Sequence, residues 1–93
     1  MALSGQKTVT TAGTAVALGS QQISGALMVK ALLANTGNVF VGNDGAGDVT
    51  SANGMELDAG EVIIFGYVGN LSTIMVDSAT SGEGVAWLAL EVM

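Results

Sequence analysis

The chain has 93 residues with neither Cys nor His, which excludes disulfides, thiolate metal sites and histidine acid–base chemistry. Two cations, Lys7 and Lys30, stand against eight carboxylates. A phosphate backbone or an anionic membrane needs several cations on one face, so no nucleic acid and no membrane is expected as a partner.

Charged residues make up 11% of the chain and hydrophobic ones 49%, whereas a soluble domain is ordinarily about a quarter charged. A core this small is marginal by itself. With disulfides and thiolate metals excluded, packing against copies or partners is the remaining source of stability, and a homo-oligomer is expected.

Taken in order, residues 1–6 are expected to form a flexible N-terminal arm ahead of one β domain; the whole chain, 1–93, is read as a single unit. Residues 7–11 (KTVTT) are strand-like by their Val and Thr content, and 15–18 continue that strand or start another. Residues 19–25 (GSQQISG) read as a loop. Residues 26–33 (ALMVKALL) suit a helix by propensity, but alternation sets Leu27, Val29, Ala31 and Leu33 on one face, and the strand-and-turn neighbours favour a strand.

A turn at 35–38 leads into a short strand, 39–41, with Val39 and Val41 inward. Residues 43–53 (NDGAGDVTSAN) form the longest polar stretch and are expected to be an exposed loop. Next, Met55–Leu57 and Val62–Phe65 flank Asp58-Ala59-Gly60, which predicts a central hairpin whose second strand is covered on both faces. Residues 72–76 are expected as a strand with Ile74 and Val76 on one face, 78–84 (SATSGEG) as a loop, and 84–92 (GVAWLALEV) as the closing strand. Seven or eight short strands at this spacing predict an all-β fold, a small β-sandwich or jelly-roll-like barrel.

Opposite the expected inward residues stand a second apolar set: Met28, Leu32, Phe40, Ile63, Phe65, Met75 and Trp87. A single small sandwich cannot easily bury both sets, so Met28, Leu32, Phe40, Phe65, Met75 and Trp87 are candidates for an oligomer or partner interface.

Chemistry is sparse. Asp44 and Asp48, spaced by glycines, resemble part of a calcium loop, but the bidentate Glu that would complete an EF-hand is missing; a solvated turn is expected, with no metal and no cofactor. The same glycines lack both GxGxxG and GK[ST], which removes a phosphate loop. Glu56, Asp58 and Glu61 cluster as the paired carboxylates of a glycosidase do, but such enzymes need a cleft lined with aromatics, and the chain has four aromatic residues. Ser and Thr lack a His or Cys partner. No catalytic residues are expected, and the chain is read as a non-enzyme. Trp87, flanked by Ala86 and Leu88, is expected in a core or interface rather than as a sugar platform.

No apolar run is long enough to span a bilayer, since Lys30 interrupts 27–33. The N-terminus lacks the basic and apolar regions of a secretory signal, so cytoplasmic assembly is expected.

From Asn35 to Leu90 the chain resembles a family of small virion proteins of tailed bacteriophages. The resemblance is carried by TGNVFVG, by Asn53-Gly54 followed by MELDAGEVIIF, and by LSTIMVDSATSGEGVAWLAL; the opening TVTTAGTAVAL at 8–18 shares it. It implies a capsid decoration (cement) protein: β-rich, oligomeric with a trimer preferred, located on the capsid surface of the virion, and clamping neighbouring major capsid protein subunits. It also leaves room for a tail or fibre module that touches a host carbohydrate or receptor through 43–53 and 78–84. An N-terminal arm would then be free to add a strand to a neighbour's sheet.

Overall fold

The computed structural model describes residues 2–91. Eight strands form in chain order: β1 (Leu3–Val9), β2 (Val16–Ala17), β3 (Leu27–Ala31), β4 (Val39–Gly42), β5 (Met55–Leu57), β6 (Val62–Phe65), β7 (Met75–Ser78) and β8 (Glu83–Ala89). A 3-10 turn, Leu71–Thr73, precedes β7 and is capped by Asn70, whose Oδ1 accepts from the Ser72 N–H. The fold is all-β, as the turn spacing predicts.

The pairing follows one rule. β1 pairs β8, β2 pairs β7, β3 pairs β6 and β4 pairs β5, all antiparallel. The chain is thus one long hairpin, with its tip at β4–β5, rolled up so that β8 also joins β3 and β7 also joins β4. Two four-stranded sheets result, β1-β8-β3-β6 and β2-β7-β4-β5. First pairing last, inward to the tip, is a jelly-roll sandwich.

Between the sheets lies one continuous core. Val9, Leu27, Val29, Ala31 and Val85 from the first sheet meet Val39, Val41, Leu57 and Val76 from the second, with Ile23 and Leu71 from the connections. Alternation holds where the sequence shows it: Leu27, Val29 and Ala31 are fully buried, as are Val39 and Val76. Close approach of β1 to β8 depends on Gly84, where a Cβ would run into the Lys7 carbonyl oxygen.

Several expectations are corrected. Leu3 to Gln6 are not an arm; they are strand, paired residue by residue with Ala86 to Ala89, because β8 offers a free edge seven residues long. Met1, also placed in that arm, and Val92, placed in the closing strand, lie outside the described residues.

There is also no β5–β6 hairpin. The turn itself is present: Glu61 donates its N–H to the Asp58 carbonyl at 2.9 Å, and Gly60 takes φ +85°. However, the Gly60 N–H donates to the Ala31 carbonyl and the Ala31 N–H to the Glu61 carbonyl, both at 2.9 Å. These bonds turn the chain from the second sheet to the first, so β5 and β6 end opposite sheets. Consequently β6 is an edge strand rather than a strand covered on both faces, and its phase is the reverse of that expected. Ile63 and Phe65 pack against the core, while Val62 and Ile64 are 46% and 64% exposed. Leu33 leaves the β3 pattern as well; it is 75% exposed and lies over Gly60. Ser72 and Thr73 belong to the 3-10 turn, not to the strand that follows.

Candidate functional site

The six candidate interface residues do not form one patch. Met28 lies half-buried on the outer face of the first sheet, and Leu32 sits just beyond β3, its N–H on the Gly84 carbonyl. Phe40 and Met75 alternate with core residues and so face outward from the second sheet, yet Phe40 is only 6% exposed. Phe65 and Trp87 face inward against the core. The Trp87 ring fills the space that Gly5 leaves open: a Cβ at Gly5 would stand 2.8 Å from Trp87 Cζ2. Trp87 therefore packs at the edge of the core.

What covers Phe40 is the polar loop at 43–54. Val49, 1% exposed, reaches down from it, and a Cβ at Gly54 would stand 2.7 Å from Val49 Cγ2 and 2.8 Å from Phe40 Cβ. The loop is an apolar peg inside a polar frame. Its acidic and amide oxygens are committed to its own backbone: Asn43 Oδ1 accepts from Gly45 and Gly47, and Asp44 Oδ1 from Ala46 and Asp48. Asn43 Nδ2 also ties the loop to the Thr73 carbonyl at 2.9 Å. These are the turn-stabilising bonds of Asn and Asp side chains. Among the described residues, no cluster of three or more potential ligands could hold a metal ion.

A second cover lies over the same sheet. Asp77, 4% exposed, accepts the Gly13 N–H at 2.9 Å and the Ser78 N–H at 2.8 Å, so the β1–β2 connection is held down over β7. The remaining carboxylates serve turns. Glu61 accepts the Asp58 N–H at 2.7 Å. Glu83 accepts the Gly37 N–H, the Thr36 hydroxyl and the Thr36 N–H. Those donors, the Thr36 amide foremost, hold its carboxyl below the ordinary value. Glu56 and Asp58 are exposed.

Among the described residues, the first sheet has no such covers. By strand register its outer face carries Ser4, Gln6 and Thr8 from β1, Ala86 and Leu88 from β8, Met28 and Lys30 from β3, and Val62 and Ile64 from β6. Leu90, 47% exposed, follows Leu88 on the same side. One half is polar, and the half formed by β3, β6 and the end of β8 is apolar, with Lys30 as its only charge among the described residues. A shallow groove of about 200 Å³ runs along it, lined by Met28, Lys30, Val62, Ala86, Trp87 and Leu88.

Four of these residues, Val62, Ile64, Leu88 and Leu90, escape sequence reasoning because VIIF and AWLAL are apolar throughout. A continuous apolar run carries no period-2 phase. Lys30 is the usable signal: a charge in mid-strand marks the outward face of β3, and pairing transfers that face to Val62 and Ala86.

No protein-family model, characterised protein or solved structure matches the chain.

Proposed function

We propose that this chain is a non-enzymatic structural protein of a tailed-phage virion that decorates the assembled capsid, bridging neighbouring major capsid protein subunits through the outer face of its first sheet. The observation that carries the reading is the bare apolar half of that face, in a protein whose other sheet is covered on its outer side by two connections. Exposed Ile64, Val62, Leu90 and Leu88, gathered on one side of one sheet, favour burial against another protein. The resemblance to phage virion proteins supplies the partner, and the jelly-roll is a fold that capsid components use, although a fold alone does not assign a role.

The task is then mechanical. A site built from two or more neighbours exists only after assembly, and one clamp that touches several gains from effective concentration. The contact is mostly apolar, so raised salt weakens it little.

Purified particles stripped of the protein provide the test. Re-added protein should bind particles but not unassembled capsid subunits, and it should raise the temperature at which they release DNA. Leu88→Glu, in the middle of the face, should abolish rebinding while the free protein stays folded. Stripped particles that are equally heat-stable but fail to adsorb to cells would instead make it a tail or fibre module acting through 43–53 and 78–84.

A further inference from the structure

We infer that two copies of this chain associate edge to edge through β6, giving a two-fold dimer in which the first sheets join into one eight-stranded sheet. The inference goes beyond the capsid role and does not depend on it; it also makes the pair two-fold, in place of the trimer that the resemblance implies.

The two sheets have four edge strands. β1 carries Ser4, Gln6, Lys7 and Thr8; β2 is two residues long; β5 is three residues long and holds Glu56. Polar or charged side chains and short length are the ordinary devices that stop an edge from pairing with another chain. β6 reads Val-Ile-Ile-Phe, with neither a charge nor a proline, and is the unguarded edge.

The phase of its free hydrogen-bonding groups is set by its neighbour. Ala31 donates its N–H to the Glu61 carbonyl, while on the other side of β3 the Leu90 N–H goes to the Ala26 carbonyl and the Leu32 N–H to the Gly84 carbonyl. Odd-numbered residues of β3 therefore bond towards β6 and even-numbered ones towards β8. In an antiparallel ladder these directions alternate, so Ile63 and Phe65 turn their backbone groups to β3, whereas Val62 and Ile64 turn theirs outward.

A dyad through Ile63 sets Val62 opposite Ile64 of the second copy, and the reverse, and each such pair can exchange both backbone bonds. The surface is self-complementary, as a two-fold interface requires. Opposed residues share a face, so Val62 and Ile64 meet their counterparts on the outer side, and the apolar half-faces of the two copies run together across the dyad.

Charge permits the arrangement. Glu61 is the nearest carboxylate in sequence, and the two copies of it fall about 13 Å apart along the strands, beyond the Debye length of about 8 Å at physiological salt. Area sets the strength. A four-residue edge buries far less than the roughly 1,200 Å² of a stable free dimer, so the pair is weak in dilute solution and is favoured where copies are concentrated.

The test is sedimentation of the full chain, with amide hydrogen exchange, over rising protein concentration. A monomer–dimer equilibrium is expected, in which the Val62 and Ile64 amides become slower to exchange as concentration rises while Ile63 is slow throughout. Ile64→Lys guards the edge at an exposed position and should weaken association about tenfold or more, whereas Gln6→Lys on the opposite edge should not. Should Ile64→Lys disturb folding, Val62→Pro removes an outward N–H and leaves the bonds to β3 in place. Absence of dimer at any concentration, a trimer, or a dimer unaffected by the edge variants would overturn the inference.

Discussion

Val49→Ala should destabilise the protein, although Val49 lies in its most polar stretch. The side chain is 1% exposed and stands against Phe40 and Gly54 outside the main core. Truncation to Ala removes two methyl groups' worth of buried surface, about 1.6 kcal/mol at about 0.8 kcal/mol each. The small cavity left beside Gly54 adds to this, because the Asn43–Thr73 bond ties the loop to the fold and the Gly54–Thr50 bond closes its far end on itself, so it cannot simply collapse. The total is about 2 kcal/mol, or a fall in Tm of roughly 8–16 °C for a domain of this size. Chemical denaturation of Val49→Ala beside Asp48→Ala is the assay; the Asp48 change should stay within about 0.5 kcal/mol. If the two variants melt together, Val49 does not anchor the loop, and Phe40 must be covered in some other way.

The phase of β6 predicts that Ile63→Ala costs about 2–3 kcal/mol and Ile64→Ala about 0.5 kcal/mol in denaturant melts; the opposite ranking would reverse the strand. Glu83 predicts an acid dependence: its carboxyl titrates lower in the folded chain than in the unfolded one, so the unfolded state binds the extra proton and stability rises with pH. The stability advantage of the native chain over Glu83→Gln should be full near neutral pH and shrink as pH falls from about 4.5 into the acid range, as read by urea melts across pH. An advantage that is constant with pH would remove the Thr36–Gly37 clamp as its cause.

The turns and strands were legible in the sequence wherever local chemistry decides them. Asn, Asp and Gly at 43–48 and 58–60 mark real turns, whereas the turn expected at 35–38 closes earlier, with the Asn35 N–H on the Leu32 carbonyl; the alternation of Leu27, Val29 and Ala31 names their buried face correctly. Pairing partners were not legible. Asp58-Ala59-Gly60 has the composition of a hairpin, but whether the chain folds back or crosses to the other sheet is decided by Ala31, far away in sequence, which takes both of the turn's remaining backbone bonds. The same gap explains the scattered interface set. Phe40 looked outward and does point outward, but a valine in a distant polar loop closes over it. Phe65, expected opposite the inward residues, faces the core, and Trp87 takes the core side of its core-or-interface expectation, because an unbroken apolar run has no phase of its own. The expected arm failed for a related reason: Ser, Gly and Gln at 4–6 are weak strand formers, and only the long free edge of β8 orders them.

The topology then explains why one face is bare. Rolling a hairpin into a jelly-roll sends the β1–β2 and β4–β5 connections out beside the second sheet, and each finds a residue there to hold it down. Gly13 bonds Asp77, and Val49 and Phe40 both close on Gly54. On the first sheet, the turn between β5 and β6 is four residues long and closed on itself by the Glu61–Asp58 bond. It has no length left to fold over Val62 and Ile64. Those side chains must either remain in water or be covered by another chain. Leaving Ile64 64% exposed and Val62 46% exposed forgoes about 1.5–3 kcal/mol of burial in total, taking roughly half of the 1.5–3 kcal/mol per side chain, a large amount beside the 5–15 kcal/mol net stability of a typical domain. Replacing Ile64 by Lys should therefore cost the isolated monomer little while removing the gain on association, which separates a surface shaped for a partner from one that is merely under-filled.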